Sequence, residues 1–171
     1  MRVREIVWGG LLTSLSLLIP LAFGGFLMIS IPPFTATLAS HVPTMISMTI
    51  SPMVAFMVAA GSALGFLIKT GPIIAARAAM HIIFALAGSY LYKKGVSFPK
   101  VLLATLPLHA LAEAFVVLPF GFTLQEAGVI VGVGTAIHHA IDSIIAVSIY
   151  GLIGAIISRG VPASPRNKLR K

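Results

Sequence analysis

Charge is what this chain has least of. Only 9% of its 171 residues are charged, and Glu5, Glu113, Glu126 and Asp142 are the whole acidic complement, whereas a soluble domain carries roughly a quarter charged residues. That shortage excludes a soluble globular domain. With 58% hydrophobic residues and a mean hydropathy of +1.04, the sequence is expected to be an integral membrane protein with a lipid bilayer as its main partner. Cysteine is absent, which excludes a disulfide framework, thiolate metal sites and a catalytic cysteine but leaves the redox compartment open. Missing too are a Gly-x-Ser-x-Gly elbow, a His-Glu-x-x-His pair and any nucleotide-binding motif, so the sequence argues against an intramembrane serine hydrolase or a zincin.

Most of the basic residues that give a net charge of +8 cluster at the edges of the apolar runs. Arg2 and Arg4 precede the first run, Lys93, Lys94 and Lys100 bracket an internal loop, and Arg159, Arg166, Lys168, Arg170 and Lys171 follow the last. Such placement marks membrane topology, so no nucleic-acid partner is expected. The basic start followed by apolar Ile6 to Ala22 has the look of a signal peptide. Because further spans follow at once, it is expected to be an uncleaved first span of a mature chain.

A crossing helix needs about 20 mostly apolar residues. Divided at its breakers and charges, the chain is expected to be an all-α membrane protein, a single domain of six transmembrane helices near 5–22, 34–51, 52–69, 72–92, 100–118 and 136–158. The last apolar stretch, Leu124 to Ser158, is too long for one crossing. Its glycine-rich start, Gly128 to Gly134, is expected to be a kinked or interfacial lead-in. An even number of spans puts both termini on one side. The excess of Lys and Arg makes that side cytoplasmic, leaving Lys69 and Arg77 toward the outside.

Against this background three pairs of ionisable residues stand out: Arg77/His81, His109/Glu113 and His138/Asp142. A spacing of four puts both members on one helix face, and a charged group in hydrocarbon costs about 2.5–3.5 kcal/mol or more. With His41, they fall at similar depth in the outer half of four different helices, as a pocket open to the outside requires. Arg77 offers two parallel hydrogen bonds to a carboxylate, and His81 one turn away offers a bond to a ring nitrogen or second oxygen. Glu113 either positions Arg77 or recognises a donor on the ligand. Two rival readings remain: interhelical hydrogen bonds that only hold a bundle together, and an intramembrane metal-dependent enzyme using His109, Glu113, His138 and Asp142. Small residues on the first span, Gly10 and Ser14 among them, permit close helix contact. A contact within the chain is the commoner outcome for such a pair, and a separate subunit is the alternative.

Six short spans, a small-x-x-x-small motif on the first and the run Ile31-Pro32-Pro33-Phe34-Thr35-Ala36-Thr37-Leu38-Ala39-Ser40-His41-Val42-Pro43, with Ala76-Arg77-Ala78-Ala79-Met80-His81, give the chain its family resemblance. It resembles a substrate-binding S component of the energy-coupling factor (ECF) vitamin transporters, most like the niacin-type group. The resemblance implies an S-component-like bundle in a bacterial cell membrane, without catalytic activity or cofactor of its own. It would capture niacin or a similar small carboxylate from outside. It would then topple on docking to a transmembrane coupling subunit driven by two ATPase subunits. The resemblance further implies that Gly10 and Ser14 form the docking surface, where the family usually has alanines, and that Phe23 to Phe34 caps the site. The nickel and cobalt members carry a histidine directly after Met, whereas this chain begins Met1-Arg2-Val3, which argues against metal transport. A stand-alone carrier without an ATPase partner is a further alternative.

Overall fold

The computed structural model describes residues 1–160. In chain order its elements are α1 (Val3–Phe23), β1 (Met28–Ile31), β2 (Phe34–Thr37), α2 (Val42–Ser47), α3 (Pro52–Thr70), α4 (Pro72–Ala79), α5 (His81–Lys93), α6 (Phe98–Val116), a 3-10 turn at Leu118–Phe120, a π-helical segment at Glu126–Val133 and α7 (Gly134–Gly160). Among the described residues, five helical stretches are long and apolar enough to cross a membrane: Val3–Phe23, Pro52–Thr70, Pro72–Lys93, Phe98–Phe120 and Glu126–Ala155. The tail residues Arg166, Lys168, Arg170 and Lys171, expected to be cytoplasmic, lie outside the described residues.

Local chemistry sets the helix ends. Ser51 caps α3 by accepting from the Val54 amide (3.4 Å), Pro52 occupies the first turn where its missing N–H is not needed, and Gly71 ends the helix at φ +91°. At the start of α1 the Glu5 carboxylate accepts from the Arg2 amide at 2.8 Å.

Helices α1 and α3 run parallel, which fixes the path between them. Gly9 faces Val54 and Met57 near the start of both, while a methyl group at Gly61 would lie 2.6 Å from Thr13 Cγ2 and one at Gly65 2.8 Å from the Leu17 carbonyl. Gly61 and Gly65 therefore let the two backbones approach closely, and Ser16 Oγ donates across to the Val58 carbonyl at 2.9 Å. Because Gly24 sits beside Lys69 at the far end, the chain between Gly24 and Ser51 has to return the length of the helix pair.

That return leg differs from the expected helical span at 34–51. It consists of the antiparallel hairpin β1–β2, with Ile31 paired to Phe34 across Pro32-Pro33, and the short helix α2. Two physical reasons decide it. Phe34-Thr35-Ala36-Thr37 alternates apolar and polar residues, a strand pattern, and Ser51 before Pro52 is held extended at φ −167°, which bars a helix from running through. The crossing at 72–92 is present, interrupted at Met80 between Arg77 and His81. The glycine-rich lead-in is wound as π-helical turns that run directly into α7. Gly134 is needed there, since a Cβ would meet the Phe34 ring at 2.9 Å.

Gly10 and Ser14 are also not where an internal contact would put them. Nothing lies within 4 Å of a Cβ at Gly10, and Ser14 is exposed, its hydroxyl donating back to the Gly10 carbonyl at 2.9 Å. The internal contact falls one residue earlier, at Gly9 and Thr13, because α1 turns its Gly9, Leu12, Ser16 and Ile19 stripe toward the bundle.

Candidate functional site

Two buried carboxylates organise the polar residues. Glu113 on α6 is the first. Its Oε2 accepts from Arg77 of α4 through Nε at 3.1 Å and through Nη2, and from Thr135 Oγ1 of α7 at 2.6 Å. Its Oε1 is approached by His81 Nε2 of α5 at 3.2 Å and His109 Nε2 at 3.1 Å. Arg77 also donates from Nη1 to the Pro33 carbonyl at 3.1 Å and lies 5.1 Å from the Phe34 ring centre, so the hairpin tip rests directly on the guanidinium.

Asp142 on α7 is the second node. Its two oxygens accept from the Ala39 and His41 amides, each at 2.9 Å, which pins the segment before α2 to α7. Ala39 holds φ +65° there, a conformation unusual for a residue with a side chain. His41 Nδ1 and His138 Nε2 lie 3.2 and 3.3 Å from Asp142 Oδ2. The His138 nitrogen is hydrogen-bonded to the Thr37 carbonyl at 3.1 Å, while His41 Nδ1, though close, has no hydrogen-bond alignment. Removing the carboxylate strips both amides of their acceptor. Asp142→Ala is expected to cost about 3 kcal/mol, seen as a thermal midpoint roughly 6–12 °C lower, with a smaller loss in Asp142→Asn, which keeps one acceptor oxygen.

His41 joins the two nodes. Its ring centre is 4.6 Å from that of His81, 4.7 Å from His109 and 4.4 Å from His138. The seven residues singled out in the sequence, His41, Arg77, His81, His109, Glu113, His138 and Asp142, are thus brought together, none more than 8% exposed. Three others belong with them. His139 Nδ1 is 2.9 Å from His109 Nδ1, Ser62 Oγ is 3.3 Å from His81 Nδ1, and Thr135 bonds Glu113. These contacts join different helices, so sequence spacing carries no trace of them; only the polarity of His139 inside an apolar run marked it.

Donor atoms of metal-ligating type converge here as well. One atom from each of His41, His81, His109 and Glu113 lies within 4.8 Å of the others, and His41, His138 and Asp142 form a second such group. His109/Glu113 and His138/Asp142 therefore sit on separate nodes.

The cluster opens on a small cavity of about 10 Å³ under the hairpin, lined among others by Thr37, Ser40, His41, Arg77 and Glu113; that is space for about one water. The Thr37 and Ser40 hydroxyls, both buried, have no hydrogen-bond partner. Buried hydroxyls without partners are costly, and from the cavity wall both could bond a water or a polar group placed there. Beyond His138, which borders both spaces, an apolar cleft of about 290 Å³ runs between the hairpin and α7, past Ile29, Ile31, Phe34, Ile137 and Ile141.

No protein-family model matches the chain, and no solved structure matches it. Among curated proteins, it is 33% identical to the Niacin transporter NiaX of Lactococcus lactis subsp. cremoris (strain MG1363) over an alignment of 178 residues, covering 94% of this chain and 78% of the relative.

Proposed function

The chain belongs to the niacin-type S components of the energy-coupling factor transporters, and from that premise we propose that it captures nicotinate outside a bacterial cell membrane and delivers it to an ECF coupling module. One observation carries this reading: a buried guanidinium, two unpartnered hydroxyls and a ring of histidines converge on one cavity beneath the hairpin. Arg77 pairs the substrate carboxylate, using the second N–H of Nη1 beside the one given to Pro33. His41 and His138 line the same cavity, where the pyridine ring would lie against them. Glu113, His81 and His109 hold Arg77 in place, and Asp142 holds His41.

A cavity of about 10 Å³ cannot admit a pyridine ring until the hairpin moves. The cleft between hairpin and α7, with His138 at its inner end, is the natural route in. On this reading the hairpin and α2 form the outer and inner parts of a sixth crossing. Both termini then lie in the cytoplasm, in line with the positive charge of the N-terminus and of the loop at Lys93 to Lys100.

Gly10 and Ser14 form the surface on which the coupling subunit docks, driven by two ATPase subunits; their outward orientation supports this, since small residues facing lipid leave room for another helix. The rival metal-dependent enzyme has its required residues divided between two nodes and a transporter as relative. In a host lacking niacin uptake, labelled nicotinate is expected to enter only when chain and coupling module are expressed together. Gly10→Phe with Ser14→Phe is expected to lower uptake at least tenfold while purified protein still binds nicotinate. Equal uptake without the module would instead make the chain a stand-alone carrier.

A further inference from the structure

The hydrogen-bond chain behind Glu113 contains one contact that neutral imidazoles and an ionised carboxylate leave unsatisfied. The Leu102 carbonyl only accepts, so His139 Nε2, 3.0 Å away, carries a proton. A neutral His139 then has a bare Nδ1, which must accept from His109 Nδ1 at 2.9 Å. A neutral His109 is left with a bare Nε2 facing the Glu113 Oε1 lone pairs at 3.1 Å. Two acceptors in contact in a buried site repel unless a proton or a metal ion stands between them.

We propose that His81, His109 and Glu113, completed by His41, bind one divalent transition-metal ion of the zinc class. Bonds of about 2.0–2.1 Å in a tetrahedron set ligand atoms about 3.3 Å apart. Glu113 Oε1 already lies 3.2 Å from His81 Nε2 and 3.1 Å from His109 Nε2, and a ring nitrogen of His41 falls within the same 4.8 Å cluster. The outer contacts are those a metal site uses to orient its imidazoles. Ser62 engages His81 Nδ1, His139 engages His109 Nδ1, and Arg77 and Thr135 hold the other oxygen of Glu113. The donor set is three imidazoles and one carboxylate, without the thiolates that favour softer ions.

Charge balance points the same way. With neutral imidazoles, Arg77, Glu113 and Asp142 sum to −1, so a divalent ion brings the buried site to +1 and an anionic carboxylate brings it to zero. This coupling of metal to nicotinate rests on the function proposed above; the metal site does not.

The test uses the full chain, purified through a tag without histidine, stripped with a chelator and titrated with Zn²⁺ alone. One equivalent is expected to bind. Affinity should fall at least about a hundredfold in His109→Gln and His81→Gln, and about 10- to 100-fold in His139→Phe, which removes only an outer contact. Should the variants not fold, Co²⁺-substituted wild-type protein is expected to show the visible spectrum of a four-coordinate nitrogen and oxygen site. No stoichiometric Zn²⁺ on the wild type would overturn the proposal, as would Zn²⁺ affinity unchanged in folded ligand variants. So would ¹⁵N imidazole spectra of metal-free protein showing His109 doubly protonated, since the cation would then be a proton. A protein that binds Zn²⁺ but not nicotinate would refute the transport reading and leave the metal site standing.

Discussion

Glu113→Ala is expected to lower stability by about 3–5 kcal/mol, because it leaves the Arg77 guanidinium buried without its counter-charge. No other side chain in the site serves so many partners: Arg77, Thr135, His81 and His109 all converge on one carboxylate. Thermal unfolding of purified protein should show the loss as a midpoint about 6–20 °C lower. Glu113→Leu combined with Arg77→Met should recover much of it, since two apolar residues of similar volume often replace a buried ion pair at little cost. A double variant as unstable as Glu113→Ala would show that the pair contributes through more than its mutual charge. A single variant as stable as wild type would mean that Arg77 finds another partner.

Arg77→Ala is expected to act on affinity. A carboxylate that loses its charge-assisted hydrogen bond to a desolvated guanidinium forfeits about 2–5 kcal/mol, so nicotinate should bind roughly thirtyfold to several thousandfold more weakly. Arg77 also supports the hairpin through the Pro33 carbonyl and the Phe34 ring, so its removal acts on the hairpin as well as on the carboxylate. Nicotinamide separates the two effects, because it keeps the pyridine ring and lacks the carboxylate. If Arg77 binds the carboxylate, the preference for nicotinate over nicotinamide collapses in the variant. If Arg77 only holds the hairpin, both ligands weaken together and the preference survives.

Much of this arrangement is legible in the sequence. The charge shortage and the breakers place α1, α3, the crossing through α4 and α5, and α6 to within two or three residues, because hydropathy over some twenty residues is a direct consequence of crossing a bilayer. The four-residue spacing brings His109 with Glu113 and His138 with Asp142 onto common faces, and they do meet. Hydropathy fails at 34–51, where short apolar runs suit strand and helix alike; the alternation of Phe34 to Thr37 and the hydroxyls at Thr35, Thr37, Ser40 and Thr44 were the available signals. It fails again for His139, whose partners His109 and Leu102 are on another helix. The outward turn of Gly10 and Ser14 was equally hidden, because Gly9 and Thr13 form a small pair with the same spacing one residue earlier. Which pair packs inside depends on the knobs that α3 presents, Val54 and Met57 against Gly9 and Gly61 against Thr13.

Calorimetric titration of nicotinate and nicotinamide into wild type and Arg77→Ala tests the central claim most directly. The account predicts one nicotinate per wild-type chain, bound at least about thirtyfold more tightly than nicotinamide, and a preference close to unity in Arg77→Ala. A wild-type protein that binds the two equally, or an unchanged preference in the variant, would contradict it.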